Sequence, residues 1–303
     1  MTYLILVNPN SGEGKGEKTA KLLKEYLIEQ KIEHHFHFTD RIGQEPELMR
    51  QILNDKTEDD RILIVGGDGT VSIAINALPF HMPFSYIPSG SGNDFARSLG
   101  ISLDPIKAFE QLQSQAEKKT IYILKYDSKS FAGYALNNIG IGLDASIVKA
   151  TNTGKTKALF NKLKLGSLSY LFSALHVLFT KKPFAVSVDS DQSHTFFDKA
   201  FLLTFTKHPF FGGGIRIAPE ASNLNESIDM VEVERHPLPR IFAVVPKLLK
   251  ATHIDDAMVN HQRSLSYTVM PNEAQPVQID GEYFEIQAND TLQIDAEKRT
   301  IIC

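Results

Sequence analysis

The sequence predicts two structural classes in one chain: an N-terminal α/β part on a parallel sheet, then a mostly antiparallel β-sandwich. Three observations carry this. Over the first third, short apolar runs alternate with stretches of helical period, the pattern of strand–helix–strand units. From residue 121 onward, strand-like segments follow one another without regular helices between them. At 303 residues, 42% hydrophobic and 22% charged, the chain has the length and composition for about two ordinary cores. The expected division is 1–122 and 123–303, with a return of the last residues to the first part left open.

Tyr3–Val7 is a β-rich run that ends in the turn cluster Asn8-Pro9-Asn10-Ser11-Gly12. Residues 18–30 then place Leu22, Leu23, Tyr26 and Leu27 at the spacing of a helix with one buried face. Residues 35–38 read as a strand, 46–53 as a helix, 61–65 as a strand, 71–78 as a helix and 84–87 as a fourth strand. In the second part, strands are expected at 121–126, 131–139, 184–189, 200–206, 228–234, 265–270, 277–279, 283–287 and 292–295. Helical inserts at 167–179 and 240–251 interrupt them.

Composition excludes several classes. A net charge of −4 argues against a nucleic-acid partner. A single cysteine, Cys303, rules out a disulfide scaffold and any zinc site of paired thiolates. No stretch reaches the ~18 apolar residues of a membrane span. The first residues lack the basic head and cleavage site of a signal peptide, so the cytoplasm is the expected location. His34, His35 and His37 lack a third partner and read as an exposed strand edge, not a metal site.

Chemistry concentrates in loops that follow strands. Gly66-Gly67-Asp68-Gly69-Thr70 lies between a strand and a helix, where backbone N–H groups meet a phosphate with no Cβ in the way. Thr70 either caps that helix or bonds a phosphate oxygen. Asp68 would repel phosphates unless a cation intervenes, which implies Mg²⁺. The loop from Asn8 to Gly16 fails as a P-loop, because Glu17 stands where glycine is required before Lys18. It still offers Asn8, Asn10, Ser11 and Gly12 to a phosphate, with Lys15 as a charge. A third loop, Pro88 to Ala96, offers Gly90, Ser91, Gly92 and Asn93, while Asp94 either holds a metal-bound water or caps the next helix. Thr39, just past the second strand, joins the residues expected at the nucleotide.

These loops, together with Asn138-Ile139-Gly140-Ile141-Gly142-Leu143-Asp144-Ala145 and Asp280-Gly281-Glu282, occur in one order along the chain. In that order they resemble the diacylglycerol kinase catalytic-domain family, which includes bacterial soluble lipid kinases and sphingosine kinases. NAD kinases share only the Gly-Gly-Asp-Gly-Thr element. The resemblance implies an ATP- and Mg²⁺-dependent kinase, with a nucleotide-binding α/β domain of the NAD kinase and diacylglycerol kinase type and a β-sandwich that takes lipid.

Asp280 and Glu282, two residues apart in an expected strand, would face one side and suit base catalysis. The resemblance assigns the general base to this segment, and the choice between the two stays open, as does an exposed acidic hairpin. Asp68 completes the catalytic set. The resemblance also implies a structural Mg²⁺ loop, whose candidate ligands here are Ser222, Asn225, Ser227 and Asp229. Asn225 stands where the family has a liganding Asp, Glu226 where it has Gly, and Tyr122 where many bacterial members carry an Asp.

Residues 151–183 hold six lysines, among them Lys164, Lys181 and Lys182, and no Asp or Glu. They surround an apolar helical run, and Arg240, Lys247 and Lys250 repeat the theme near 240–250. Both segments suit the surface of an anionic bilayer, and Lys164 is within range of a phosphate in this reading. The expected activity is transfer of the ATP γ-phosphoryl group to a lipid hydroxyl, diacylglycerol first, at the membrane surface. A polyprenol, phosphatidylglycerol, a sphingoid base or NAD as acceptor, and a pseudokinase that only binds, are the rivals. A homodimer is left open.

Overall fold

Strands β1 (Tyr3–Val7), β2 (His34–Phe38), β3 (Arg61–Gly66) and β4 (Phe84–Pro88) pair in parallel in the order β2-β1-β3-β4. Strands β1, β3 and β4 are buried almost throughout, as central strands with both faces covered must be. Strand β2 is the edge and carries the three histidines. The computed structural model describes residues 1–41, 43–115, 118–152 and 176–303.

Helices α1 (Ser11–Glu29), α2 (Glu45–Asp55), α3 (Asp68–Ile75), α4 (Asp94–Leu99) and α5 (Pro105–Gln115) connect and cover this sheet. Helix α1 turns its Ala20, Leu23 and Leu27 inward but leaves Leu22 half exposed, so its buried stripe is narrower than the spacing suggests. The sequence reading assigned no helix at α5, which buries Ala108, Phe109 and Leu112; Phe109 meets Tyr3 edge-on at 5.1 Å.

The second part contains β5 (Lys118–Asp127), β6 (Ala132–Ala135), β7 (Asn138–Gly142), α6 (Leu143–Asn152), β8 (Phe184–Ser190), β9 (His194–Thr206) and the short hairpin β10 (Phe210–Phe211) and β11 (Ile215–Arg216). Then follow β12 (Ile228–Glu234), α7 (Leu238–Leu249), β13 (Val259–Ser264), β14 (Ser266–Pro271), β15 (Gln275–Ile279), β16 (Glu282–Ile286) and β17 (Leu292–Ile302). Their pairings are antiparallel apart from one at the end of β17, where Ile301 lies parallel to Phe84 of β4.

The fold is therefore an N-terminal α/β unit with parallel strands followed by a C-terminal β-sandwich. Strands β5 and β17 pair over ten residues and form a ribbon between the two cores. Ile121, Ile123, Ile301 and Ile302 pack in the first core, while Leu124, Tyr126, Leu292 and Ile294 pack in the second.

Three expectations are corrected here. The stretch after residue 121 is not free of regular helix: α6 starts directly after β7, at a glycine with φ 97°. The single strand expected at 131–139 is two, β6 and β7, with Leu136 and Asn137 between them. The strand at 292–295 runs on to Ile302. The helix at 167–179 lies outside the described residues except at its end, where 176–180 are helical.

Candidate active site

The three strand-end loops touch one another. A Cβ on Gly90 would stand 2.7 Å from the Cα of Gly67, so the loops after β3 and β4 pack backbone against backbone. Ser11 Oγ shares a hydrogen bond of 2.7 Å with Ser89 Oγ, which brings in the loop after β1. The three loops expected to meet are thus in contact, although several of their side chains do other work than holding phosphate.

Asn8 Nδ2 donates to Glu45 Oε1 and to Thr70 Oγ1, both at 3.1 Å, and its Oδ1 accepts the Asn10 N–H. It ties α2 and α3 to the loop, and Thr70, buried against it, makes no cap on α3. Thr39 is buried and donates its N–H to Val7 O. Asn93, expected at the ligand, is buried in the left-handed conformation (φ 53°); its amide bridges both the N–H and the carbonyl of Gly90. It shapes the loop. Gly12, Gly66, Gly67, Gly69, Gly90, Ser91 and Gly92 lie in these loops, with Asn10, Lys15, Gly69 and Ser91 exposed, but Gly66 O accepts the Ser89 N–H and the Gly90 N–H is held by Asn93 Oδ1.

Asp68 accepts the N–H groups of Asp94 (3.0 Å) and Phe95 (3.2 Å), so its carboxylate caps α4 across the crevice. Burial, with Asp94 and Asp280 nearby, pushes Asp68 up to about 6 against those two donors. Asp94 does not cap α4. One oxygen accepts the Gly213 N–H at 2.8 Å, the other is buried without a partner, and burial raises its pKa.

Asp280 departs from the expected strand position. It and Gly281 form the two-residue turn between β15 and β16, both with positive φ (49° and 90°). The two acids therefore do not share a strand face. Asp280 turns inward, where Oδ1 accepts the N–H groups of Asn137 (2.8 Å) and Asn138 (3.1 Å). Its Oδ2 accepts Leu136 N–H (2.7 Å) and Ser72 Oγ–H (2.5 Å). Burial raises its pKa against these four donors. Glu282 is exposed on the outside of the hairpin.

Behind this turn, Gln278 bonds Asn138 Oδ1, Asp144 Oδ2 and the Gly281 N–H. A Cβ on Gly140 would fall 1.6 Å from Asp144 Oδ2, so any larger residue here would have to displace the Asp144 carboxylate. Burial pushes Asp144 up to about 6.

Asp68, Asp94, Asn138, Gln278 and Asp280 form the polar end of a cavity of about 550 Å³. Its other walls are apolar: Val148, Phe201, Phe211, Val233, Ile241 and Leu248 stand among them. The sequence reading missed Ser72, Asn137, Gln278 and the loop Gly212-Gly213-Gly214, whose three consecutive positive φ values let it close over Asp94. Three adjacent glycines between Phe210-Phe211 and Ile215-Arg216 were the available signal for that loop.

The proposed structural Mg²⁺ ligands do not converge. Ser222 Oγ accepts the Leu224 N–H, and Asn225 Oδ1 accepts both the N–H and the hydroxyl of Ser227. Asp229 Oδ1 is taken by His261 Nε2 (2.6 Å) and Arg263 Nε (2.8 Å). Where carbonyls of this loop do converge, at Asn225 O (2.6 Å) and Ser227 O, they accept from the ammonium of Lys207. As they stand, the side-chain oxygens of Ser222 and Asn225 are spent within the loop, and of Asp229 only Oδ2, buried without a partner, is left over, too few donors for a divalent cation. Among the described residues no three His, Cys, Asp or Glu side chains are grouped to hold a metal.

The basic segments are corrected in part. Lys181 is half-buried, donates to Gln275 Oε1 at 2.7 Å and lies over the Phe184 ring, and Lys247 pairs with Asp256 at 2.6 Å. Arg240, Lys182 and Lys250 are exposed; residues 155, 157, 162 and 164 lie outside the described residues. Helix α7 has no buried residue and leaves Phe242, Val245 and Leu249 exposed. No described helix is long and apolar enough to cross a membrane.

The diacylglycerol kinase catalytic domain model matches residues 2–125, and the model of the YegS C-terminal NAD kinase beta sandwich-like domain matches 137–293. A Bacillus subtilis (strain 168) protein named "Putative lipid kinase YtlR" is 28% identical over 287 residues, covering 92% of this chain and 93% of its own. The diacylglycerol kinase of the same strain is 25% identical over 282 residues, or 92% of this chain and 89% of that one. A solved structure titled "A putative diacylglycerol kinase from Bacillus anthracis str. Sterne" superposes with a TM-score of 0.74 at 21% identity, over 99% of this chain and 96% of its own, which speaks to the fold alone. Two domain models in the order of the motifs, with full-length likeness to proteins named as lipid kinases, make this chain a member of the diacylglycerol kinase catalytic-domain family of lipid kinases.

Proposed function

We propose that this chain transfers the γ-phosphoryl group of ATP to the hydroxyl of a membrane lipid, with diacylglycerol as acceptor and phosphatidic acid as product. The observation that carries the reading is the cavity: one space with mostly apolar walls that is also lined by four carboxylates, Asp68, Asp94, Asp144 and Asp280. An acyl chain suits the apolar walls, and a hydroxyl at its head would lie against Asp280.

Asp280 is the proposed general base, in preference to Glu282, which lies outside the cavity. Three of its donors are backbone N–H groups fixed by the chain, and the fourth is the Ser72 hydroxyl. Only the hydroxyl can turn away, so an incoming lipid hydroxyl would take its place on Oδ2. A raised pKa suits a group that must take up a proton during the attack. The glycine-rich loops would supply N–H groups to the phosphates, and Asp68 would keep α4 and its loop in register. Mg²⁺ would arrive with ATP and neutralise phosphate charge; in such transfers positioning and charge neutralisation carry most of the rate.

Helix α7, with its exposed Phe242, Val245 and Leu249 and its exposed Arg240 and Lys250, is the proposed contact with an anionic membrane surface from the cytoplasmic side. Its Ile241, Phe242, Val244, Val245 and Leu248 line the cavity, so the same helix would lead lipid from bilayer to site. The test is transfer of label from γ-labelled ATP and Mg²⁺ into a lipid panel in mixed micelles. Label in diacylglycerol above all other lipids is expected. Label only in another lipid, a polyprenol or a sphingoid base, would replace the acceptor, and ATP binding with no labelled lipid would remove the kinase reading for that panel.

A further inference from the structure

The side chain of Lys207 is completely buried just past the end of β9. Its ammonium donates to the carbonyls of Asn225 and Ser227, the backbone of the loop in which a family Mg²⁺ site was expected. It also stands 5.6 Å from the ring centroid of Tyr122, whose hydroxyl donates to Glu226 at 3.0 Å. Asn225, Glu226 and Tyr122 are the three departures from the family pattern, and all three surround this one nitrogen. We infer that the Lys207 ammonium is a built-in cation that takes the place of a structural divalent ion, so that this chain holds the loop without metal.

The physical argument is one of donors and charge. A hard cation needs several oxygens, preferably anionic. An ammonium needs acceptors only, and two carbonyls with an aromatic face meet that need. Exchanging Asp for Asn at 225 lowers the negative charge of the loop, which weakens a divalent site and suits a single positive charge. Asp229 and Glu226 supply the remaining negative field.

The loop so held reaches the N-terminal unit. Asn223 accepts the Tyr122 N–H at 2.7 Å and donates through Nδ2 to Ser98 Oγ of α4 at 3.0 Å. The neighbours of Lys207 in sequence reach the site: Thr206 Oγ donates to Asn137 O, and His208 Nε2 bonds Asn137 Oδ1. A lysine at this point therefore fixes a clasp between α4 and the segment that presents N–H groups to Asp280.

The test needs no turnover. Full-length protein purified in Mg²⁺ is desalted and its metal content measured, and its melting temperature is followed with EDTA, Mg²⁺ and Ca²⁺ in the absence of nucleotide. No stoichiometric metal and a melting temperature that EDTA does not move are expected. Lys207→Met should melt at least about 4 °C lower. Lys207→Ala combined with Asn225→Asp should regain a saturable rise in melting temperature with Ca²⁺ or Mg²⁺ that wild type lacks. One divalent ion per wild-type chain that Asn225→Ala removes would overturn the inference. So would Lys207→Met melting like wild type, or a double variant indifferent to both ions.

Discussion

Replacement of Asp280 by Asn tests the centre of the proposed mechanism, and the structure sets its cost. Asn keeps one carbonyl oxygen and presents an amide group at the other position. With the oxygen toward Asn137 and Asn138, the amide faces the Leu136 N–H and the Ser72 hydroxyl. Ser72 can turn and accept, but the Leu136 N–H, fixed by the backbone, loses its partner. One buried donor left unmet costs about 1–3 kcal/mol. Removing a carboxylate that burial already disfavours offsets part of this. The expected fall in melting temperature is therefore at most about 10 °C.

Loss of a general base, by contrast, lowers the rate by about 10²–10⁴. The assay is γ-phosphoryl transfer to micellar diacylglycerol, well below the variant's melting temperature, with the folded fraction read by circular dichroism. A loss of more than about 100-fold in kcat with most of the protein folded is expected. Glu282→Gln, on the outer face, should stay within a few-fold of wild type. A folded Asp280→Asn protein that retains more than a tenth of wild-type kcat would refute the assignment, and Asp280 would then be a turn-holding residue only.

Gly90→Ala places a methyl 2.7 Å from the Gly67 Cα, so the two loops must separate; KM for ATP should rise about tenfold or more while the melting temperature falls less than for a core cavity, by kinetics and calorimetry together. Phe242→Glu with Leu249→Glu on α7 should abolish sedimentation with anionic vesicles and leave ATP binding unchanged, since neither side chain is buried. Asp144 has its pKa raised to about 6 by burial. A raised carboxylate pKa stabilises the fold at low pH and loses that contribution as pH rises from about 4 to about 6. Asp144→Asn should therefore gain on wild type between pH 4 and pH 7 by up to about 3 kcal/mol, from urea midpoints at both pH values. An unchanged difference between the two proteins would set that cause aside. Asp68, also near 6 and crowded by Asp94 and Asp280, should release protons when MgATP binds at pH 6; calorimetry in buffers of different ionisation enthalpy reads the sign.

The parallel sheet was legible because its strands are short, buried runs with nothing polar inside: Tyr3–Val7 and Arg61–Gly66 announce themselves and their following loops. The loops were legible as loops, since glycine clusters after strands have few other uses. What the individual polar side chains do in them was not. Asn93 and Asn8 have the chemistry of ligands, yet their amides satisfy backbone and side-chain groups across the crevice. Such bonds join residues up to 62 positions apart, and local pattern contains no trace of them. Asp280 and Glu282 were misread for a related reason. Asp-Gly is a strong hairpin turn signal, but spacing read as strand put both acids on one face. Helix α6 was missed because it follows β7 without any intervening loop, and its boundary is a left-handed glycine inside an apolar run.

The departures at Tyr122 and Asn225 are the strongest sequence argument for a chain that binds without catalysing. Their placement in the fold weakens that argument. Neither lines the cavity, whereas Asp68, Asp94 and Asp280 do. Asp280 keeps four donors and Asp68 keeps two, so the polar end is built without help from either position. Tyr122 and Asn225 lie with Lys207 in one shell around one nitrogen. A loop held by the Lys207 ammonium, with the acids at the cavity end still bonded to their donors, favours the proposed kinase over a chain that only binds.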